Sequence, residues 1–202
     1  MRIYDFVAAP NPKKLRVYLA EKGIEVPIEP VDILSGQNRA PAFLEKNPLG
    51  GLPVLELDDG SCLTESLAII EYFEERHPEP PMVGGTPLER ARTREAERIC
   101  ELGVLANVAT IFQNTNPFFA QRVKQSPEAA ENARTRLNSA LRVVNDRLSK
   151  TEFVAGAAPT IADCTLLAAL DFAAFGGIEV PVEFGDVHRW YEAFKQRPSA
   201  QA

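Results

Sequence analysis

Apolar and polar positions change period near residue 85. Before it, Arg2 to Phe6 and Val26 to Ile33 form short runs of strand length, and Pro27 and Pro30 mark the second as an edge strand. Between them Leu15, Leu19 and Ala20 keep helical spacing behind Asn11-Pro12, which predicts a helix with proline at its first position, ended by Gly23. Pro41 to Glu45 predicts a short helix. Leu52 to Leu55 and Ser61 to Leu63 predict two strands joined at the hairpin signal Asp58-Asp59-Gly60. Glu65-Ser66 then opens an apolar helix containing Leu67, Ile69, Ile70 and Phe73. The order βαβαββα predicts a mixed sheet with helices on its faces.

After a proline- and glycine-rich linker, His77 to Gly85, every run has helical period. Thr86-Pro87-Leu88-Glu89 has a capping threonine, proline at the first helical position and glutamate at the third, so a long helix starts there. Ser126 caps another, whose Ala130, Ala133, Leu137, Leu141, Val144 and Leu148 make one apolar stripe. Ile161 to Phe175 is apolar almost all round and predicts a central buried helix. Val187, Trp190, Tyr191 and Phe194 form the last stripe. Thr160-x-x-Asp163 has the spacing of reciprocal cap bonds rather than of a catalytic pair.

Composition narrows the function classes. With 202 residues, 45% apolar and 25% charged, the chain suits one large or two small globular domains, and its net charge of −6 argues against sequence-independent binding of nucleic acid or anionic membrane. The start Met1-Arg2-Ile3-Tyr4-Asp5 lacks a signal-peptide core, which leads to an expected cytoplasmic location. Cys62, Cys100 and Cys164 are far apart and read as buried small apolar residues. His77 and His188 read as solvated, so no metal site is expected.

One feature needs a conformational explanation. The strand run continues straight through Pro53, which has no N–H to give a ladder. A cis Leu52–Pro53 bond reconciles the two and leaves the Leu52 N–H and C=O free to pair with an extended peptide. Ten residues on, the helix start at Glu65-Ser66 suits a carboxylate beside the serine hydroxyl and an ammonium beside Glu65. One short surface would then hold both charges of an amino-acid-like group. A generic strand-turn-helix without a ligand is the alternative.

Five segments, in order, resemble the cytosolic glutathione transferases: Tyr18 to Ile24 (YLAEKGI), Phe43 to Gly50 (FLEKNPLG), Leu52-Pro53-Val54-Leu55, Leu63 to Ile69 (LTESLAI), and Phe153 to Gly156 with Thr160 to Asp163. The resemblance covers nearly the whole chain. It implies an α/β thioredoxin-like N-terminal domain over residues 1–80 and an all-α C-terminal domain over 86–202. It also implies glutathione as cosubstrate, bound by Asn11, Leu52, Pro53, Glu65, Ser66 and Arg39.

The resemblance places the chemistry after the first strand, in Asp5 to Lys14. A thiol of pKa about 8.5 needs donors and positive potential to become a thiolate at neutral pH. Tyrosine-type relatives align a tyrosine with Asp5, serine-type relatives a serine with Ala9, and cysteine-type relatives need a thiol that this loop lacks. The loop is similar instead to the Thr-Pro-Asn type with Ala9 in place of the threonine. That leaves Asn11 as catalytic residue, with the helix dipole and Lys14 in support, or as a simple helix cap. Many relatives carry Lys, Arg or Gln where this chain has Gly50-Gly51, so Gln37, Asn38 and especially Arg39 are expected to reach the glycine carboxylate.

The implied pocket for a small apolar electrophile lies between the domains, lined by Phe6 or Val7 and by Phe112, Phe118 and Phe119, residues that equally suit a core. Three functions stay open: a transferase whose glutathione thiolate attacks an electrophile, a disulfide or a peroxide; a glutathione carrier without catalysis; and an interaction module on the same fold. The resemblance further implies a homodimer built from the Leu67 to Phe73 helix and the first long helix. Glu97 or Glu101 would there face the neighbour's ligand or simply lie on a solvated helix face.

Overall fold

Residues 1–202 are all described by the computed structural model, in which they divide into two units, Met1–Met82 with Gln201–Ala202 and Val83–Ala200. The first contains β1 (Arg2–Asp5), α1 (Pro10–Lys22), β2 (Ile28–Pro30), α2 (Pro41–Leu44), β3 (Val54–Glu56), β4 (Cys62–Thr64) and α3 (Ser66–Arg76), with a 3-10 turn at Gln37–Arg39. This is the expected βαβαββα order. The sheet runs β2-β1-β3-β4. β1 is parallel to β2 and antiparallel to β3, and β3 is antiparallel to β4. β2 is an edge strand, as its prolines required, and is shorter than the sequence predicted because they cannot donate to a ladder.

Alternation along β1 sorts the two faces. Ile3 and Asp5 are buried, while half-buried Tyr4 packs with Val31, Phe43 and Val54 and meets the Phe43 ring edge-on at 6.0 Å. Tyr4 also donates to Glu56 Oε2 at 2.8 Å, where Lys46 joins it. Helix α1 packs on α3. Glu74 of α3 receives the Tyr18 hydroxyl (2.7 Å), Lys22 Nζ (3.0 Å) and the Met82 amide (2.8 Å), so a buried carboxylate is fully used. Cys62 is half-buried rather than buried, because it lies on edge strand β4, whereas Cys100 and Cys164 are enclosed as expected.

The second unit contains α4 (Pro87–Arg98), α5 (Ala106–Thr115), α6 (Pro127–Leu148), α7 (Ile161–Phe175) and α8 (Gly185–Phe194). The long helix expected from Thr86 does extend to Thr115, but a wide π-helical stretch, Ile99–Leu105, separates α4 from α5. Gly103 in that stretch lies against α6: a Cβ there would sit 2.6 Å from the Ala140 Cβ. Asn107 Nδ2 donates to the Leu102 and Gly103 carbonyls at 3.1 and 2.7 Å, satisfying groups that the widened turn releases.

The α6 stripe is buried as predicted. So are Leu166, Leu167 and Leu170 of α7 and Val187, Trp190 and Phe194 of α8. Glu97 corrects both readings offered for it, since it is fully buried in this unit and accepts from Thr165 Oγ1 at 3.3 Å. Glu101 pairs with Arg98 on the helix surface. No helix is long and apolar enough to cross a membrane.

Candidate active site

Sheet register brings the predicted peptide-binding elements together. The ladder pairs Val54 with both Thr64 and Tyr4, so continuing it by two residues sets Leu52 opposite Ser66 on one side and opposite Phe6 on the other. Leu52–Pro53 is cis, the conformation that reconciles the run with Pro53. β3 begins at Val54, which keeps the Leu52 N–H and C=O out of the ladder. The end of β1, the Leu52–Pro53 step and the start of α3 therefore share one end of the sheet. Helix α1 starts there too, so two helix N-termini with their unpaired donors and positive dipole ends lie at that end.

Glu65 is the residue before α3 and has φ 67°, ψ 116°. It is the one non-glycine with positive φ. Such backbone is costly for an L residue and clusters at functional sites. Its side chain is exposed, while Ser66 is 5% exposed at the first helical position.

Helix α1 starts two residues earlier than the sequence suggested. Ala9 is the N-cap and makes no side-chain cap, Pro10 takes the first helical position, and Asn11 the second. Asn11 therefore does not cap this helix, which corrects one of its two readings. Pro10 and Pro12 have no N–H and Lys13 N bonds Ala9 O at 3.1 Å, leaving the Asn11 N–H as the orphan donor of the first turn. The Asn11 side-chain Oδ1 is enclosed without a hydrogen-bond partner. The residue as a whole is half-buried, and its Nδ2 is not among the enclosed atoms that lack a partner. Lys14, expected to add charge here, is fully buried on the core side of α1.

Arg39 lies where the missing side chain of Gly50 would be. Its Nη1 donates to Leu49 O at 3.1 Å and Asn38 Nδ2 to Gly50 O at 2.8 Å. Gly50 has φ 65°, and a Cβ on it would lie 2.7 Å from the Asn38 carbonyl oxygen and 3.1 Å from Arg39 Nη1. Asn47 adds a bond to Gly51 O at 2.9 Å. The segment leading into Leu52 is thus held by side chains from the 38–47 region, and an exposed guanidinium stands beside it.

The apolar residues proposed for a second pocket are placed less uniformly. Val7 is 77% exposed and Phe6 half-buried. Phe112, at 8% exposure, is a core residue whose ring meets Phe119, Phe172 and Phe175 at 5.0 to 5.9 Å. Phe118 is 46% exposed, with Arg122 4.2 Å above its ring. Sequence reasoning missed Phe172 and Phe175, because a wholly apolar helix does not reveal which of its rings face solvent. It also missed Arg16, which pairs with Asp5. A carboxylate at a core-facing position of β1 was the available signal, since it requires a cation.

Comparisons with known proteins agree with this architecture. Residues 3–81 match the family described as glutathione S-transferase, N-terminal domain, and residues 100–198 its C-terminal domain. Glutathione S-transferase 2 of Saccharomyces cerevisiae is 34% identical over all of this chain and 88% of its own length. The crystal structure of Gtt2 from the same yeast superimposes with TM-score 0.93 at 34% identity, covering 100% of this chain and 99% of that one. A glutathione S-transferase domain-containing protein from Marinobacter aquaeolei gives TM-score 0.91 at 34% identity over 99% of this chain and 100% of its own. Maleylacetoacetate isomerase of Pseudomonas aeruginosa is 36% identical, over 55% of this chain and 54% of its own. With its thioredoxin-like first unit, its helical second unit and glutathione as the implied cosubstrate, the chain belongs to the glutathione S-transferase family and is an enzyme of that family.

Proposed function

We propose that the chain binds glutathione across the end of its sheet and activates the thiol with Asn11. The cysteinyl backbone pairs with Leu52 beside Pro53, the γ-glutamyl carboxylate meets Ser66 at the start of α3, its ammonium meets Glu65, and Arg39 takes the glycine carboxylate. The observation that carries this reading is the unpartnered side-chain amide of Asn11, together with its own orphan N–H, at an uncapped helix start. A hydrogen bond to a charged group is worth about 1.5 to 3 kcal/mol, enough to lower a thiol pKa by about one to two units. The thiol proton leaves to solvent, and the thiolate then forms a bond to an electrophilic carbon, a disulfide sulfur or a peroxide oxygen as the leaving group departs. The second substrate is a small apolar molecule; the protein works in the cytoplasm as a homodimer.

The deciding experiment is a glutathione titration of wild type and Asn11→Ala, following affinity and the ultraviolet absorbance of bound thiolate against pH. A bound-thiol pKa lowered by about one unit or more in wild type, and restored in the variant, is expected. Ala9 favours a second reading, because it supplies no hydroxyl: a glutathione carrier. Binding without any change in thiol pKa would establish that reading instead.

A further inference from the structure

A largely enclosed arginine that takes no part in the proposed ligand contacts grips the turn from which α1 springs. Arg16 Nη1 lies 2.7 Å from both carboxylate oxygens of Asp5, and its Nη2 donates to the Val7 carbonyl at 2.9 Å. The two side chains are 10% and 4% exposed. Val7 stands in the middle of the turn closed by Ala9 N to Phe6 O at 2.9 Å. Its side chain is 77% exposed and holds nothing. The turn is therefore anchored by a main-chain carbonyl, from inside the helix that follows it.

We propose that Arg16 is a positioning residue for the thiol site, gripping the β1–α1 turn through Val7 O and thereby setting the aim of Asn11. The proposal rests on the assignment of Asn11 above. Its physical basis is that Ala9 supplies no side-chain cap and two prolines remove donors from the first turn, so local bonds at the helix start are sparse. One planar guanidinium joins the last residue of β1, the middle of the turn and the second turn of α1. Leu52, Ser66 and Arg39 belong to other segments and do not depend on it.

Losing the grip should therefore misalign the thiol donor while sparing glutathione affinity. Lysine separates the two functions, because a single ammonium can stay on Asp5 but cannot also span to Val7. Other charges near this end are Lys13 and Lys14 on α1 and Glu65 before α3, all unchanged by the substitution.

The test uses full-length wild type, Arg16→Lys and Asp5→Asn, each measured for glutathione Kd by calorimetry and for bound thiolate by ultraviolet absorbance against pH. In Arg16→Lys, Kd should stay within about twofold while the thiolate fraction at neutral pH falls by about three- to tenfold, or about half to one unit of thiol pKa. Asp5→Asn leaves the Val7 bond in place and should keep the thiolate fraction within about twofold of wild type. A wild-type titration in Arg16→Lys overturns the proposal, as does a parallel loss of affinity and thiolate, which is what general loosening would produce. An equal thiolate loss in Asp5→Asn overturns it too, because charge pairing rather than the grip on Val7 would then matter. Should Arg16→Lys fail to fold, the neutral pair Asp5→Asn with Arg16→Gln replaces it, with the same loss expected. A wild type that binds glutathione without lowering its thiol pKa refutes the Asn11 assignment instead.

Discussion

Helices α1 and α7 begin with opposite treatments of the same backbone problem. Every helix leaves its first N–H groups without intrahelical partners. At α7, Thr160 caps the helix and Asp163 returns the bond: Asp163 Oδ2 accepts from Thr160 N and Oγ1 at 2.9 and 3.0 Å. Its Oδ1 accepts from Val154 N at 3.0 Å and Trp190 Nε1 at 3.1 Å, so a fully buried carboxylate is saturated. At α1, Ala9 caps nothing, two prolines remove donors, and Asn11 leaves its oxygen unpaired. A start whose donors are consumed inside the protein is architecture. One whose donors are left unpaired is available to a ligand, and the family's cosubstrate carries an anion to place there.

The largest expected effect lies at the saturated end. Asp163→Ala leaves the Val154, Thr160 and Trp190 N–H groups buried without acceptors, at about 1 to 3 kcal/mol each, so denaturant unfolding should show a loss of about 3 kcal/mol or more. Acidity sharpens this. Burial pushes the Asp163 carboxyl up to about 6 from an ordinary 3.8, against its four hydrogen bonds. The folded protein then holds a proton that the unfolded chain releases, so this contribution to stability is complete below the unfolded value and is lost as pH rises through about 6. Glu56 behaves in the opposite way, held down to about 2 first by Lys46 and then by Tyr4. Its contribution is present above about 4.5 and is lost as pH falls towards 2. Melting temperature against pH for Asp163→Asn and Glu56→Gln should flatten one arm each.

At the open end the effects on stability shrink. Ala9→Ser adds the missing cap and should raise stability by about 0.5 to 2 kcal/mol in thermal unfolding. No gain would mean that the α1 start is already satisfied in a way its geometry does not suggest. Asn11→Ala should change stability by less than about 0.5 kcal/mol, because Asn11 neither caps the helix nor pairs its oxygen, while raising the bound-thiol pKa by about one to two units. A stability loss comparable to that of Asp163→Ala would erase the contrast between the two helices.

Much of this molecule is legible in residue order alone. The βαβαββα order, Gly23 at a helix end, the caps at Thr86, Ser126 and Thr160, and the cis step at Pro53 rest on steric and hydrogen-bonding preferences of a few adjacent residues. The α6 stripe follows from helical period in the same way. Errors arose where neighbours compete. Pro10 and Pro12 both suit a first helical position, and chain order does not say which one takes it.

Packing settled what spacing could not. Glu97 has the sequence context of a solvated helix face, yet it lies in the core, because burial of one helix face depends on which helices cover it. Within the π-helical stretch Gly103 lies against Ala140, thirty-seven positions away, a contact that spacing does not reveal. Arg39 fills the space of a side chain absent at Gly50, eleven residues on, and Arg16 reaches back to Asp5 and Val7. Local preference specifies elements and their ends, since those depend on neighbouring torsions and donors. Which donors remain open, and which charges meet, depends on contacts between segments distant in the chain, and the candidate site is made of such contacts.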